Sequence, residues 1–218
     1  MGIPGLLKGC KQGASRDIVL GRGGRGSVII IDGCYMLHKH VYEQGVAAAL
    51  LGDDVTPLAK ACIRLVRRLM DSAWSVVIVF DGASPPAKEG TRVARRRARE
   101  AARERLEAAA TEADRDKATK QSVSLNERVI ARVSSIISRC DVFTAPYEAD
   151  AQLVTLEQTL RESHDRTYIY ATDADLIVLG AQCLLWDIKI NRTNGLVVGS
   201  VIERETIVRP PSELFTDE

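Results

Sequence analysis

The sequence predicts an α/β fold in three layers, with a mostly parallel central sheet between helices. Two observations carry this. Three short runs rich in Val and Ile each end in aspartate: Val28-Ile29-Ile30-Ile31-Asp32, Val76-Val77-Ile78-Val79-Phe80-Asp81 and Tyr168-Ile169-Tyr170-Ala171-Thr172-Asp173. Continuous apolar runs of that length are strands buried on both faces, as in a parallel sheet. Amphipathic helical patterns alternate with them, giving the βαβα order from which such sheets are built.

In chain order, Gly21-x-Gly23-x-x-Gly26 carries the letters of a dinucleotide-binding fingerprint but precedes its strand, whereas that motif follows a strand and opens a helix. It reads as a flexible, basic loop. Thr56 caps a helix with Pro57 at the first position, and Leu58, Ala61, Cys62, Leu65, Val66, Leu69 and Met70 follow at helical spacing. Residues 87–121 are rich in Arg, Ala and Glu and poor in apolar groups, so they predict a helical insertion projecting from the sheet. The capping box Ser124-x-x-Glu127 starts a helix that carries Val129, Ile130, Val133, Ile136, Ile137 and Cys140 on one face. Val142-Phe143-Thr144-Ala145 is a short strand, and Pro146 opens a helix to about Leu160. Asn194-Gly195, between 183–190 and 196–202, predicts a hairpin turn.

The chain has 218 residues, 45% hydrophobic and 27% charged, enough for one core without disulfides. Its net charge of +1 conceals a segregation. Lys88, Arg92, Arg95, Arg96, Arg97, Arg99, Arg103 and Arg105 stand against three acids in one short stretch, a surplus of five positive charges. Such an arm suits a polyanion and equally suits a solvated helix face. Cys10, Cys34, Cys62, Cys140 and Cys183 are scattered, with no zinc spacing, which predicts a reducing intracellular setting. No apolar run approaches transmembrane length and no signal-peptide pattern is present, so no membrane is expected.

The acids carry the chemistry. Ligands of open parallel sheets bind at the carboxyl ends of strands, where Asp32, Asp81 and Asp173 fall. Asp175 follows two residues after Asp173, and Glu148 and Asp150 open a helix after another strand. One strand-end aspartate is ordinarily a helix cap, but six converging carboxylates make that explanation poor. Their mutual repulsion is relieved by hard divalent cations with oxygen ligands. Two Mg²⁺ ions ~4 Å apart, with Mn²⁺ able to substitute, can clamp a phosphodiester during hydrolysis. No Ser, Cys or His nucleophile is then needed. Glu148 and Asp150 are two residues apart and would not share a helix face, so both reach one pocket only if Glu148 lies in the turn after Pro146.

Four segments resemble the N-terminal and internal regions of the flap-endonuclease/XPG superfamily of nucleases. They are Met1-Gly2-Ile3-Pro4-Gly5-Leu6-Leu7, Val79-Phe80-Asp81-Gly82, Ala145-Pro146-Tyr147-Glu148-Ala149-Asp150-Ala151-Gln152 and Thr172-Asp173-Ala174-Asp175-Leu176. The resemblance spans about residues 1–205, loosest at 105–123. The Glu-Ala-Asp at 148–150 is the form seen in the exonuclease 1 branch.

The resemblance implies a PIN-like α/β/α nuclease domain over 1–205: an N-terminal region (1–100), a helical arch at about 87–121 and an internal region at about 124–205. It leaves 206–218 as a tail, in which the family's duplex-gripping helix–two-turns–helix element and seventh metal-site aspartate are expected to be absent. It implies a metal-dependent, structure-specific 5′→3′ DNA exonuclease or 5′ flap nuclease, monomeric and nuclear, acting on DNA 5′ ends, nicks or flaps in mismatch repair and end resection. Asp32, Asp81, Glu148, Asp150, Asp173 and Asp175 would bind two Mg²⁺, with Asp173 also counted as catalytic. Lys88 and Arg95 match the pair that contacts the scissile phosphate. His38 matches a histidine that packs on the duplex end, Arg92, Arg96, Arg97 and Arg99 would guide the strand, and Gly2 would lie near the duplex junction. The alternatives are a flap endonuclease or junction resolvase of the same superfamily, and a DNA-binding module that no longer cuts. A phosphatase with an Asp-x-Asp nucleophile fits poorly, because Asp173-x-Asp175 comes late in the chain.

Overall fold

The computed structural model describes residues 15–191, 193 and 196–205. Numbered in chain order, its strands are β1 (Ser15–Gly21), β2 (Ser27–Asp32), β3 (Ser75–Phe80), β4 (Asp141–Thr144), β5 (Arg166–Tyr170), β6 (Cys183–Ile190) and β7 (Val197–Glu203). Its helices are α1 (Gly33–Val41), α2 (Val46–Leu51), α3 (Thr56–Asp71), α4 (Glu89–Glu107), α5 (Glu112–Ser122), α6 (Glu127–Ile136), α7 (Ala149–Arg161) and α8 (Asp175–Leu179), with a 3-10 turn at Pro86–Lys88. The strands form one sheet in the order β1-β7-β6-β5-β2-β3-β4. The pairs β2–β3, β2–β5 and β5–β6 are parallel, whereas β1–β7 and β6–β7 are antiparallel. The α/β class and mostly parallel sheet match the sequence reading. The hairpin expected near 194–195 is formed by β6 and β7, its Asn194-Gly195 turn lying outside the described residues.

The chain divides into two compact units. The first comprises Met1–Asp32, Arg67–Val79 and Ala149–Glu218. Here Ile29, Ile30 and Ile31 of β2 are wholly buried, because β3 and β5 flank the strand in register and α7 packs on both β2 and β5. Continuous apolar composition is what a strand covered in this way requires. The register Ile31↔Tyr170 sets Asp32 and the segment following Tyr170 at the same edge of the sheet.

The glycine-rich loop before β2 corrects the expectation of flexibility. Gly23 N donates to Ser72 O at 2.7 Å, and Trp74 Nε1 donates to Gly21 O at 3.4 Å. Arg166 donates to the carbonyls of Leu20 and Arg22 while its guanidinium lies 4.6 Å from the centroid of the Trp74 ring. A Cβ on Gly23 would come 2.2 Å from Ala73 O, so this glycine serves close backbone packing. Strand β1, absent from the sequence reading, is held by its antiparallel ladder to β7.

The second unit comprises Gly33–Val66 and Phe80–Glu148. Its helices α4 and α5 pack on one another and bury little: Ala102 on α4, and Ala118 and Ser122 on α5. The helical character expected of 87–121 is therefore observed. Three boundaries differ from expectation. Helix α3 already includes Thr56, whose N donates to Asp54 Oδ1 at 2.9 Å while Ala59 N donates to Val55 O, so the cap falls before Thr56. Helix α6 is capped by Asn126, whose side chain accepts from Val129 N at 3.0 Å, and not by the Ser124 box. Asn126 stands three residues before Val129, the reach a cap needs. The helix stops at Ile136 because Ile137 turns extended, leaving Cys140 outside it. Helix α7 starts at Ala149 and not at Pro146. The Pro146 and Tyr147 carbonyls, which would serve a helix's first turn, accept instead from Ala83 N and Gly82 N.

Candidate functional site

Four candidate carboxylates belong to the first unit, all partly buried. Asp32 is the last residue of β2, and Asp173 comes three residues beyond β5. Asp173 Oδ1 accepts from Asp175 N at 3.0 Å, which shapes the turn into α8. Asp150 lies in the first turn of α7. That helix packs on β2 and β5 and ends shortly before β5 begins, so it runs back along the sheet and leaves Asp150 toward the carboxyl edge.

The other two carboxylates belong to the second unit, where chain geometry fixes their backbone. Asp81 follows the last residue of β3 and is exposed. Ala145 N donates to Phe80 O at 2.9 Å, Gly82 N to Tyr147 O at 2.6 Å and Ala83 N to Pro146 O at 3.1 Å. The exit of β3 is thus zipped to the turn that leads into α7, with Asp81 in one segment and Glu148 just past the other. A Cβ on Gly82 would stand 1.8 Å from Ala145 O, so no larger residue fits. Glu148 lies in the lead-in turn, the placement the spacing argument demanded, and makes an ion pair with Lys88 Nζ. Both partners keep about a third of their side-chain surface in water (33% and 35%), so the pair is weakly stabilising and easily exchanged.

The cationic residues occupy the same unit. Lys88 ends the 3-10 turn that leads into α4. On α4, Arg92 pairs with Glu89 at 3.1 Å and Arg96 with Glu100 at 4.0 Å. Arg95 and Arg97 are exposed and Arg99 is partly covered. His38, on α1, is exposed by its surface area yet crowded enough that desolvation lowers its pKa below the usual 6.5. The Arg95 charge adds to this, and Asp81 opposes it. His38, Arg95 and Asp81 therefore sense one another. Gly2 lies outside the described residues.

Among the described residues, no three His, Cys, Asp or Glu side chains form a group that could hold a metal. The structure brings together Glu148 with Lys88, and Asp173 with the amide of Asp175. The donor chemistry nevertheless fits a hard divalent cation: every candidate offers carboxylate oxygen, at a strand exit or a helix start. A cation using Glu148 would have to share it with the Lys88 ammonium. Sequence reasoning missed Gly82 as part of this construction. The signal available was a glycine directly after a strand-end aspartate, where backbone approaches closely.

No family model matches the chain. It is 30% identical over 207 residues to exonuclease 1 of Drosophila melanogaster, covering 90% of this chain and 27% of that protein. It is 27% identical over 224 residues to exonuclease 1 of Xenopus laevis, covering 100% of this chain and 29% of that protein. It is 32% identical over 149 residues to flap endonuclease 1 of Methanocella arvoryzae, covering 65% of this chain and 43% of that protein. The chain thus spans less than half the length of these curated relatives. Its fold is shared with the catalytic core of Rad2 in complex with DNA substrate (TM-score 0.57, 20% identity, 94% of this chain and 56% of that one). It is also shared with the Holliday junction-resolving enzyme GEN1 in complex with product DNA and Mg²⁺ (TM-score 0.56, 17% identity, 96% and 42%). With relatives and fold in agreement, the chain belongs to the flap-endonuclease/XPG superfamily of nucleases, close to its exonuclease 1 members.

Proposed function

We propose that this chain is the nuclease core of a metal-dependent enzyme that hydrolyses DNA phosphodiesters from the 5′ side of ends, nicks or flaps. The observation that carries the reading is the zipped exit of β3, where Asp81, Gly82, Glu148 and Lys88 gather acid and base on a fixed backbone. Family membership supports it, and the Mg²⁺ in the GEN1 complex supports the choice of metal.

In this reading Asp32, Asp150, Asp173 and Asp175 of the first unit, and Asp81 and Glu148 of the second, would each offer carboxylate oxygen to Mg²⁺, two ions in all. When bound, these ions supply Lewis-acid stabilisation of the charge that builds on the phosphate. Lys88 and Arg95 add fixed positive charge toward the scissile phosphate, which favours the transition state over the less charged ground state. Lys88 exchanges its carboxylate partner for a phosphate oxygen. His38, its pKa lowered, presents a neutral ring near pH 7, which suits packing on a terminal base pair better than gripping a phosphate. Arg92, Arg96 and Arg99 guide the strand along α4. A monomer at work in the nucleus, in mismatch repair and end resection, completes the proposal.

The test uses labelled 5′-recessed duplex and 5′-flap DNA with Mg²⁺ or chelator, and Asp173→Ala as the control for contaminating nuclease. Metal-dependent cleavage that disappears in Asp173→Ala is the expected result. Mononucleotide products from the recessed end identify an exonuclease, and a released flap identifies a flap endonuclease. Binding without cleavage under Mg²⁺ and Mn²⁺ would replace this reading with that of a DNA-binding module.

A further inference from the structure

Among the described residues, the aromatic side chains range from wholly buried to well exposed. Phe80, Trp74 and Tyr170 are almost wholly buried, and Tyr168 packs edge-on to Trp74 with ring centroids 6.0 Å apart. Tyr147 keeps 61% of its surface exposed although hydrogen bonds tie its main chain to the segment after β3. Its carbonyl accepts from Gly82 N, the preceding Pro146 carbonyl accepts from Ala83 N, and the next residue, Glu148, is ion-paired to Lys88. The ring therefore stands in water on a main chain that cannot withdraw it. Phe143 on β4, with 49% exposure, extends the apolar character of the same segment.

An aromatic ring on a pinned backbone is preorganised for a flat ligand, since little conformational freedom is left to lose on binding. Every nucleobase offers such a face, and base–aromatic stacking tolerates any sequence. We infer that the Tyr147 ring is a base-stacking subsite for the nucleotide next to the phosphate addressed by Lys88 and Glu148. The inference rests on the nuclease reading above and adds to it a residue that positions substrate by its face and carries no charge to the chemistry. Stacking there would hold the nucleotide's sugar and phosphate in one register as the acids act. The hydroxyl is dispensable in this role, so phenylalanine should replace tyrosine and alanine should not.

The experiment places 2-aminopurine, one position at a time, in the first three nucleotides at the 5′ end of a recessed duplex. Fluorescence is read on binding in Ca²⁺, and steady-state cleavage is read separately in Mg²⁺. Wild type and Tyr147→Phe are expected to quench one position. Tyr147→Ala, with an unchanged circular dichroism spectrum and melting midpoint, is expected to lose that quench and to raise KM about thirtyfold, mid-range for a base–aromatic stack. Quenching by Tyr147→Ala equal to wild type overturns the inference, as does wild-type cleavage with no quenched position. A Tyr147→Phe variant as impaired as Tyr147→Ala overturns it too, because the hydroxyl would then be the active group. A wild-type protein that neither binds nor cuts DNA overturns the nuclease reading, and the inference with it.

Discussion

Replacing Gly82 by alanine tests the claim that a backbone crossing, and not side-chain chemistry alone, holds Asp81 and Glu148 in place. Space decides the outcome, since the added Cβ would stand 1.8 Å from Ala145 O and 3.0 Å from Pro146 C. Those atoms are backbone and cannot rotate away, so the two segments must part. Parting them breaks the Gly82–Tyr147 and Ala83–Pro146 hydrogen bonds, each worth about 1 kcal/mol net. Residual overpacking adds about 1–3 kcal/mol, and the stiffer unfolded chain returns about 0.4–1 kcal/mol. The balance is a loss of roughly 2–4 kcal/mol, which for a chain of this size lowers the melting midpoint by about 5–12 °C. Activity should fall further than stability, because displacing a reacting group by about 1 Å costs on the order of 100-fold. Urea titration and thermal melts measure the first effect, and cleavage of a 5′-recessed duplex at a temperature where both proteins are folded measures the second. A Gly82→Ala protein that melts with wild type and cuts at its rate would refute the reasoning, since the crossing would then have slack.

Two further predictions concern buried titratable groups. His40 Nδ1 donates to Glu43 Oε1 at 2.6 Å, and its buried Nε2 has no hydrogen-bond partner among the described residues. Burial lowers its pKa below 6.5, opposed by Glu43 and assisted by Arg64 and Lys39. The folded protein thus takes up the proton less readily than the unfolded chain, so His40 contributes stability above pH 6.5 that is lost as pH falls through its folded pKa. Melts between pH 8 and pH 5 should show this acid-side loss, and His40→Gln should flatten it; an unchanged slope would rule His40 out. Glu157 is wholly buried on α7, accepts from Gln182 N at 3.3 Å and stands 3.5 Å from Arg161. Burial raises its pKa above the usual 4.5, with those partners opposing, so its contribution is present at low pH and lost as pH rises through the folded value. Glu157→Gln should therefore melt a few degrees above wild type at pH 8, about 1 kcal/mol, with the gap closing toward pH 4; a lower midpoint at pH 8 would show the ion pair to be net stabilising.

What could be read from the sequence follows from the range of the forces involved. The runs at 28–32, 76–81 and 168–173 were legible because a strand covered on both faces needs unbroken apolar composition, and Ile29–Ile31 are indeed fully buried. The same logic put three aspartates at strand exits. Strand β1 was illegible because Ser15–Gly21 has neither alternation nor a long apolar run, and β7, nearly 180 residues away, supplies its partner groups. The α6 cap was ambiguous for a local reason: Ser124 and Asn126 are both good caps, and the path of the chain chose between them. The Lys88–Glu148 pair and the Gly82 crossing join segments about 60 residues apart, so no local pattern reports them. Resemblance to a family pointed to Lys88 and Glu148, and only the structure showed why position 82 must be glycine.

Helix α4 carries eighteen of its nineteen residues outside the buried core, with Ala102 alone fully covered. Its helicity rests on Ala, Arg and Glu propensities and local pairs such as Arg96–Glu100, each worth only a few tenths of a kcal/mol. A segment held so lightly opens at a small fraction of the free energy needed to open β2, and can do so without disturbing it. Its amide protons should therefore exchange orders of magnitude faster than those of Ile29–Ile31. The charge it displays makes ionic strength a lever on its fraying. The most basic stretch of the molecule is also one of the least costly to remake, so a bound polyanion could set its order at little energetic expense.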